Sequence, residues 1–436
     1  MDASEKKKSV LVGDVPCAYL HAERGDSPKV YVRLSREMTV IFVRLCPEYK
    51  AKVEADGTII EILKGLYGLA ESGYTWYNHL TTYLTSISFT ACRFDKCVLK
   101  KGDVNLVIYV DDFLLTGSEK DIHETLDKIE EKFGDCKRKA GPNFSFIGMQ
   151  FEIKNDGVSV KIDLKNLLQN SVGSAETPCG NNALVVSENA EKLTAENKEK
   201  VHSVVAKLLY IAKRTRPEIL FIVNFSCTRV QDPTIEDAVK LGRVMKYLKG
   251  TEGEELFLKI KRVDGIVTME PYIDASYGVH MDMKSHSGMM VTLGEGSLLT
   301  VSTKQKCISK SSTEAELIAV TDLVAHAIEV KKISEEIIGE KIELIVYQDN
   351  ESTIKIMKSG IAGARSKHIK IRFAWINEAI DSGDFELRYK ATKQMLADGL
   401  TKSKQGNEFT EFKKGAGIRI RDQDTKVRMN TKIGNL

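Results

Sequence analysis

Short apolar runs separated by turn signals fill the first third of this chain. Val104 to Tyr109 reads as a strand, and Phe113-Leu114-Leu115 as another. Asp111-Asp112 lies between them, so the pattern predicts a hairpin with two carboxylates at its tip. The period then lengthens. Ile122, Leu126, Ile129 and Phe133 recur on one face of a helix over residues 119–133. Phe144 to Ile153 returns to strand. Residues 190–250 read as mostly helical, with Val204, Leu208, Ile211 and Ala212 on one face. Thr215-Arg216-Pro217 breaks that helix, because proline lacks the N–H a helix needs. A second helix runs from about Ile235 to Leu248 and stops at Gly250. From Asp264-Gly265 the order is strand, strand, strand, helix, strand, helix, helix, strand, helix. That mixture predicts an α/β sheet with helices packed on it.

A chain of 436 residues holds two or three domains, each with its own core. Its 42% hydrophobic and 29% charged content is that of a soluble globular protein. No run of about 18 uncharged apolar residues occurs, so no membrane span is expected. The polar start, Met1 to Lys8, lacks the apolar core of a secretory leader. Eight irregularly spaced cysteines read as reduced intracellular thiols rather than a disulfide framework. A net charge of +3 says little about partners, but its distribution says more. From Lys402 to Lys432 nine Lys/Arg face four Asp/Glu, a basic tail that suits a polyanion or is simply solvated.

Two sets of acidic residues carry candidate chemistry. The first is Asp111-Asp112 with Asp14, which follows Val12-Gly13. Adjacent carboxylates at a hairpin tip repel each other, and Asp is a poor strand former. Divalent cations remove that penalty. Mg²⁺ prefers hard oxygen ligands, and a pair of ions clamps the attacking and leaving oxygens of a phosphoryl transfer. Asp14, from a different strand, is the candidate third ligand. A polar turn is the competing explanation.

The second set is Asp274 after Pro271-Tyr272-Ile273, Glu316 early in a helix, Asp349 after the run Ile342 to Tyr347, and Asp398 in a short helical pattern. The helix of Glu316 has the apolar face Leu317, Val320, Val324 and Ile328. Four carboxylates therefore sit on four elements, and an α/β sheet places ligands at its strand ends. Structural roles compete here too. Thr313 and Glu316 have capping-box spacing, as do Ser311 and Glu314. Asp349 suits the cap of the following helix, Asp274 a turn, and Asp398 a solvated helix face.

The surrounding strings decide between these alternatives. Tyr109-Val110-Asp111-Asp112 resembles the signature of reverse transcriptases. The segment Leu63 to Tyr77 resembles one that copia-type retrotransposons carry between their two acidic motifs. Phe146-Ile147-Gly148-Met149 resembles their primer-grip strand. Leu208-Leu209-Tyr210, Thr215-Arg216-Pro217-Glu218-Ile219 and Tyr247 to Thr251 resemble their connection. Ser311-Ser312-Thr313-Glu314-Ala315-Glu316, Asp349-Asn350-Glu351-Ser352 and Leu396 to Lys402 resemble their ribonuclease H landmarks, and Ile273-Asp274-Ala275 the first of these. Over about residues 11–415 the chain is thus similar to the copia-type retrotransposon Pol polyprotein.

That resemblance implies a fold that is α+β and α/β. A reverse transcriptase palm, an antiparallel sheet with helices, would span 1–155 with its fingers missing. A thumb/connection-like, largely helical region would span 156–263, and a ribonuclease H-like mixed sheet 264–405, followed by a basic tail at 406–436. Asp14, Asp111 and Asp112 would bind the polymerase metals. Asp274, Glu316, Asp349 and Asp398 would bind those that cut RNA, with Glu314 about half a turn from Glu316 and so on another helix face. Each site would take two Mg²⁺, with Mn²⁺ as a substitute. The partners implied are an RNA–DNA hybrid, DNA, RNA and other parts of the polyprotein, with no membrane. The setting implied is intracellular, in a cytoplasmic particle and the nucleus. Arg365 and Lys367 would neutralise phosphates, as would Lys304 with Gln305. His368 reads as structural or substrate-facing, with a general-base role as the alternative. Three positions depart from the family pattern: Ala70 where a basic residue is usual, Gly73 where proline is usual, and Tyr277 where tryptophan is usual. They support the alternative of a catalytically silent, nucleic-acid-binding remnant.

Overall fold

The computed structural model describes residues 1–25, 27–53, 57–359 and 367–420, except for the side chains of 367–369. The chain divides into two compact units, one of Ser9–Gly141 and one of Met1–Lys8 with Pro142–Leu436.

The first unit is built on an antiparallel sheet. Its strands are β1 (Ser9–Asp14), β2 (Thr90–Ala91), β3 (Val98–Lys101), β4 (Val104–Tyr109), β5 (Asp112–Gly117) and β6 (Lys137–Ala140), in the order β2-β3-β4-β5-β1-β6. The central strands are the apolar ones, as burial on a sheet face requires. Two helices supply the rest of the core. Helix α1 (Ser72–Ser86) buries Trp76, Leu80 and Leu84 at four-residue spacing. Helix α2 (Glu119–Phe133) starts where Ser118 accepts a hydrogen bond from Asp121 N–H, and it buries Ile122, Leu126, Ile129 and Phe133 as the pattern predicted. These side chains meet Leu11, Leu99, Leu106 and Leu115 of the sheet.

The second unit holds a second antiparallel sheet, a helical layer and a mixed sheet. Phe144 to Ile153, which reads as one strand, is a hairpin of β7 (Asn143–Phe146) and β8 (Met149–Lys154). The chain turns at Ile147-Gly148, with φ of +46° and +68°. A glycine inside a strand pattern is the signal for such a turn. Strand β9 (Gly157–Lys161) follows. It pairs with β10 (Glu254–Ile260), about a hundred residues away, in the register Val158 to Leu258.

Between them lie α3 (Ala195–Arg214), α4 (Leu220–Cys227) and α5 (Ile235–Gly250). Helix α3 buries Val205, Leu208, Ile211 and Ala212, and Val204 lies at the edge of that core. The break at Thr215-Arg216-Pro217 is occupied by a buried ion pair. Arg216 Nε donates to Glu218 Oε1 at 2.6 Å, and Nη2 donates to Thr251 Oγ1 at 2.7 Å. Tyr247 hydroxyl donates to the same Glu218 oxygen at 3.2 Å. The strings around residues 215–219 and 247–251 are therefore two halves of one buried polar network.

The mixed sheet contains β11 (Ile266–Ser276), β12 (His286–Thr292), β13 (Leu299–Lys304), β14 (Ile342–Gln348) and β15 (Glu386–Tyr389). Their order is β13-β12-β11-β14-β15, antiparallel among the first three and parallel from β11 to β15. Helix α6 (Ser312–Ile338) crosses its face and buries Leu317, Val320, Val324 and Ile328. Helices α7 (Glu351–Ser359) and α8 (Lys367–Asp381) follow, then a helical turn at Leu396–Leu400, helix α9 (Gly406–Gly415) and β16 (Ile418–Ile420). Met290 of β12 and Leu400 share one core with Leu208, Ile219, Val244 and Leu248, so the helical layer and the mixed sheet pack as one body. The antiparallel sheet with helices, the largely helical region and the mixed sheet expected from the sequence are thus all present. No described helix is long and apolar enough to cross a membrane.

Candidate active site

In the first unit, β1 and β5 run antiparallel and set Asp14 directly opposite Asp112. Asp111 occupies the turn before β5, next to Val110 at φ +60°. That conformation is costly for a branched side chain and needs external support. Trp76 provides it: its indole N–H donates to Val110 O at 2.6 Å from a ring only 1% exposed. Val15 N–H donates to Asp111 O at 2.9 Å and closes the other side. Burial, then Asp111, then Asp14 push the Asp112 carboxyl above its usual range. Tyr67 packs against Tyr19 at a tilt of 45°, with ring centroids 4.6 Å apart. Its phenol is pushed up by burial and then by Asp111. The three carboxylates adjoin as expected, but their oxygens do not all close within 4.8 Å of one another.

The second unit achieves that closure. Asp274, Glu316 and Asp349 each place an oxygen within 4.8 Å of the other two, the one such trio among the described residues. Asp274 lies on β11 opposite Gly288. A Cβ at Gly288 would stand 2.7 Å from Thr401 Cγ2 and 2.9 Å from Leu400 Cβ, so glycine lets the Leu396–Leu400 turn lie on the sheet beside Asp274. Glu316 comes from the first turn and a half of α6. Ser311 caps that helix by accepting from Glu314 N–H, and Glu314 accepts from Lys310 N–H at 2.8 Å. The capping role thus belongs to Ser311 and Glu314, which leaves the Glu316 carboxylate for the site. In the same way Asn350, not Asp349, caps α7 by accepting from Thr353 N–H at 2.9 Å.

Gln348 fixes the geometry and was not singled out in the sequence. It is fully buried. Its amide nitrogen donates to Glu316 Oε2 at 3.0 Å, and its oxygen accepts from Asp349 N–H at 2.7 Å. Thr392 hydroxyl donates to Asp349 Oδ2 at 2.7 Å, and Thr401 hydroxyl donates to Asp274 Oδ2. The one signal for Gln348 is a polar residue closing an otherwise apolar strand run. Thr401 lies within the Leu396 to Lys402 string without a role assigned to it, and nothing marks Thr392.

Crowding and burial shift the titration of Asp274 and Glu316. Burial pushes Asp274 up to about 6, against the pull of Lys402. Burial and then Asp274 push Glu316 well above the usual carboxylate range. The sign of the linkage follows. The folded pKa of Asp274 exceeds its ordinary 3.8, so the folded metal-free chain binds more protons than the unfolded chain between those values. Its stability is therefore expected to fall as pH rises from about 4 through about 6, with melts in a chelator as the measurement. A divalent cation such as Mn²⁺ would be held by the deprotonated form. Its affinity should rise over the same interval, and its addition should offset the loss.

The remaining candidates separate into three groups. Asp398 was expected to be a ligand equal to the others. It is buried, and its charge reaches Asp274, but it lies outside the close trio. Its Oδ1 pairs with Lys402 at 3.1 Å and its Oδ2 with Lys404 at 3.0 Å. Gln305 was expected to face phosphate, and the fold corrects this. Its side chain is buried, and its Nε2 donates to Ser287 Oγ and Ala315 O, both at 2.9 Å. Its oxygen accepts from Ser309 at 3.0 Å, so the amide braces the start of α6. Lys304 is partly exposed and pairs with Asp282 at 2.8 Å. Arg365 lies outside the described residues, as do the side chains of Lys367 and His368.

Residues 3–186, which include Asp14, Asp111 and Asp112, match the family described as reverse transcriptase (RNA-dependent DNA polymerase). The chain is 28% identical over 379 residues to the retrovirus-related Pol polyprotein from transposon TNT 1-94 of Nicotiana tabacum, covering 83% of this chain and 28% of that protein. It is 29% identical over 374 residues to the corresponding protein from transposon RE1 of Arabidopsis thaliana, covering 83% of this chain and 25% of that one. The chain is thus similar to the retrovirus-related Pol polyproteins of these plant transposons. It spans about a quarter of the length of these relatives. Among solved structures, it is 18% identical to the ribonuclease H1 LC11, isolated from compost, with a TM-score of 0.25 over 31% of this chain and 93% of that one. It is 13% identical to prototype foamy virus protease-reverse transcriptase, with a TM-score of 0.24 over 89% of this chain and 44% of that one.

Proposed function

We propose that this Pol-type chain hydrolyses the RNA strand of RNA–DNA hybrids at Asp274, Glu316 and Asp349. The observation that carries the proposal is the convergence of three carboxylates from a strand, a helix and a strand end within 4.8 Å, two of them buried. Such crowding is unfavourable without a cation, and an all-oxygen donor set of this kind fits Mg²⁺ or Mn²⁺. Metal ions held there would activate water and neutralise the leaving oxygen. The chain itself supplies orientation. Gln348 aims Glu316, Thr392 holds Asp349, and Thr401 holds Asp274, so the acceptor oxygens are set before substrate arrives.

The substrate would be held mainly through its phosphates, with Lys304, Arg365, Lys367 and His368 as candidate contacts. The setting we assign is intracellular, among other products of the polyprotein. The test is an end-labelled hybrid incubated with the chain and Mg²⁺. Metal-dependent shortening of the RNA strand alone supports the reading. Hybrid binding without turnover points instead to a silent binding remnant, a reading favoured by the lysines that pair with Asp398.

Asp14, Asp111 and Asp112 form the second proposed centre, for RNA-directed DNA synthesis. Their placement at the β1 end and the β4–β5 turn supports it. Primer extension on an RNA template should be lost in Asp111→Asn while hybrid cleavage persists. Equal extension by the variant and the parent chain would count against this assignment.

A further inference from the structure

Lys402 stands where it can decide how many metal ions the hydrolytic centre takes, and the inference rests on the hydrolytic reading above. Its ammonium lies 3.4 Å from Asp274 Oδ2 and 3.1 Å from Asp398 Oδ1. It thus bridges one member of the close trio and the fourth carboxylate. The other oxygen of Asp398 is held by Lys404, which is only 17% exposed and also reaches Glu408 at 3.3 Å. The two lysines differ in freedom. The Lys402 side chain is 43% exposed and can withdraw into water, whereas Lys404 is enclosed.

We infer that Lys402 is a built-in cation holding the place of a second metal ion between Asp274 and Asp398. The substrate-free centre then takes one divalent ion, and a second enters only after Lys402 is displaced. Charge points the same way. Lys402, and Lys404, which Glu408 shares, already offset part of the negative charge that the four carboxylates carry once ionised, leaving less to hold a second divalent ion. The carboxylate pair that Lys402 bridges is also too well neutralised to attract another cation strongly. Lys404 makes Asp398 a poor ligand from one side only, so removing Lys402 alone should open the second position.

The test is calorimetric titration of Mn²⁺ into the full chain carrying Asp111→Asn and Asp112→Asn, which takes the other acidic centre out of the count. One ion per chain is expected. Adding Lys402→Met should produce a second site, or tighten a weak one by about tenfold. Lys402→Arg, which keeps the charge, should bind like the parent, and Lys402→Gln serves as a second uncharged variant. Two equal ions in the parent, or an unchanged isotherm in both uncharged variants, would overturn the inference about Lys402 alone. No Mn²⁺ binding in any of these chains would overturn the hydrolytic reading with it.

Discussion

Asp274→Asn is expected to lower the rate of RNA-strand hydrolysis in a hybrid by roughly three orders of magnitude, the scale seen when a preorganised electrostatic group is removed. Asp274 is 1% exposed, so no water replaces the lost charge. The amide keeps the shape of the carboxyl but cannot neutralise a cation. The same change relieves repulsion within the trio, because Asp274 already resists ionisation in the metal-free chain. The melting temperature without metal should therefore hold or rise while activity falls. Paired melting and cleavage assays separate this outcome from simple unfolding. A variant that loses activity only in proportion to its folded fraction would contradict it.

The largest stability effect is expected far from any carboxylate trio. Arg216→Ala should cost about 3–5 kcal/mol of unfolding free energy, read from urea denaturation. The Arg216 and Glu218 side chains are 3% and 0% exposed. Removing the guanidinium leaves the Glu218 carboxylate buried beside Tyr247 with its main partner gone, and an uncompensated buried charge is the costly state. The packing of Arg216 over the Tyr247 ring, 5.6 Å to its centroid, is lost as well. Replacing both members, Arg216→Met with Glu218→Met, should recover much of the loss. A single variant within about 1 kcal/mol of the parent would mean that the pair contributes little.

Local patterns in the sequence were read well where one face of an element is buried and the other is wet. Helix α2 is the clearest case, because every predicted inward residue is in the core. Helix α4 falls within the stretch read as mostly helical but could not be delimited, for the opposite reason. Its run Leu220-Phe221-Ile222-Val223 is buried all round, so it has no polar face to reveal a period. The pairing of β9 with β10 was also hidden, since a register between distant strands leaves no local trace. Asp274, Glu316 and Asp349 were legible through the strings around them, which resemble ribonuclease H landmarks; the apolar pattern alone left cap and turn roles open for each. What surrounds the trio was not legible. Gln305 looked like a surface residue until β12 brought Ser287, α6 brought Ala315 and the loop that follows Gln305 brought Ser309 to it. Asp398 looked equivalent to the other acids until Lys402 and Lys404, four and six residues later, turned back onto its two oxygens.

The central claim is that the close carboxylate trio is a metal-dependent centre for cutting RNA paired to DNA. Its most direct test compares the full chain with Glu316→Gln on one end-labelled hybrid, with Mg²⁺ and with a chelator. The account predicts shortening of the RNA strand only by the unaltered chain and only with Mg²⁺, with the DNA strand and free RNA left intact. Cleavage that survives in Glu316→Gln or in the chelator, or no cleavage by the unaltered chain, would contradict it.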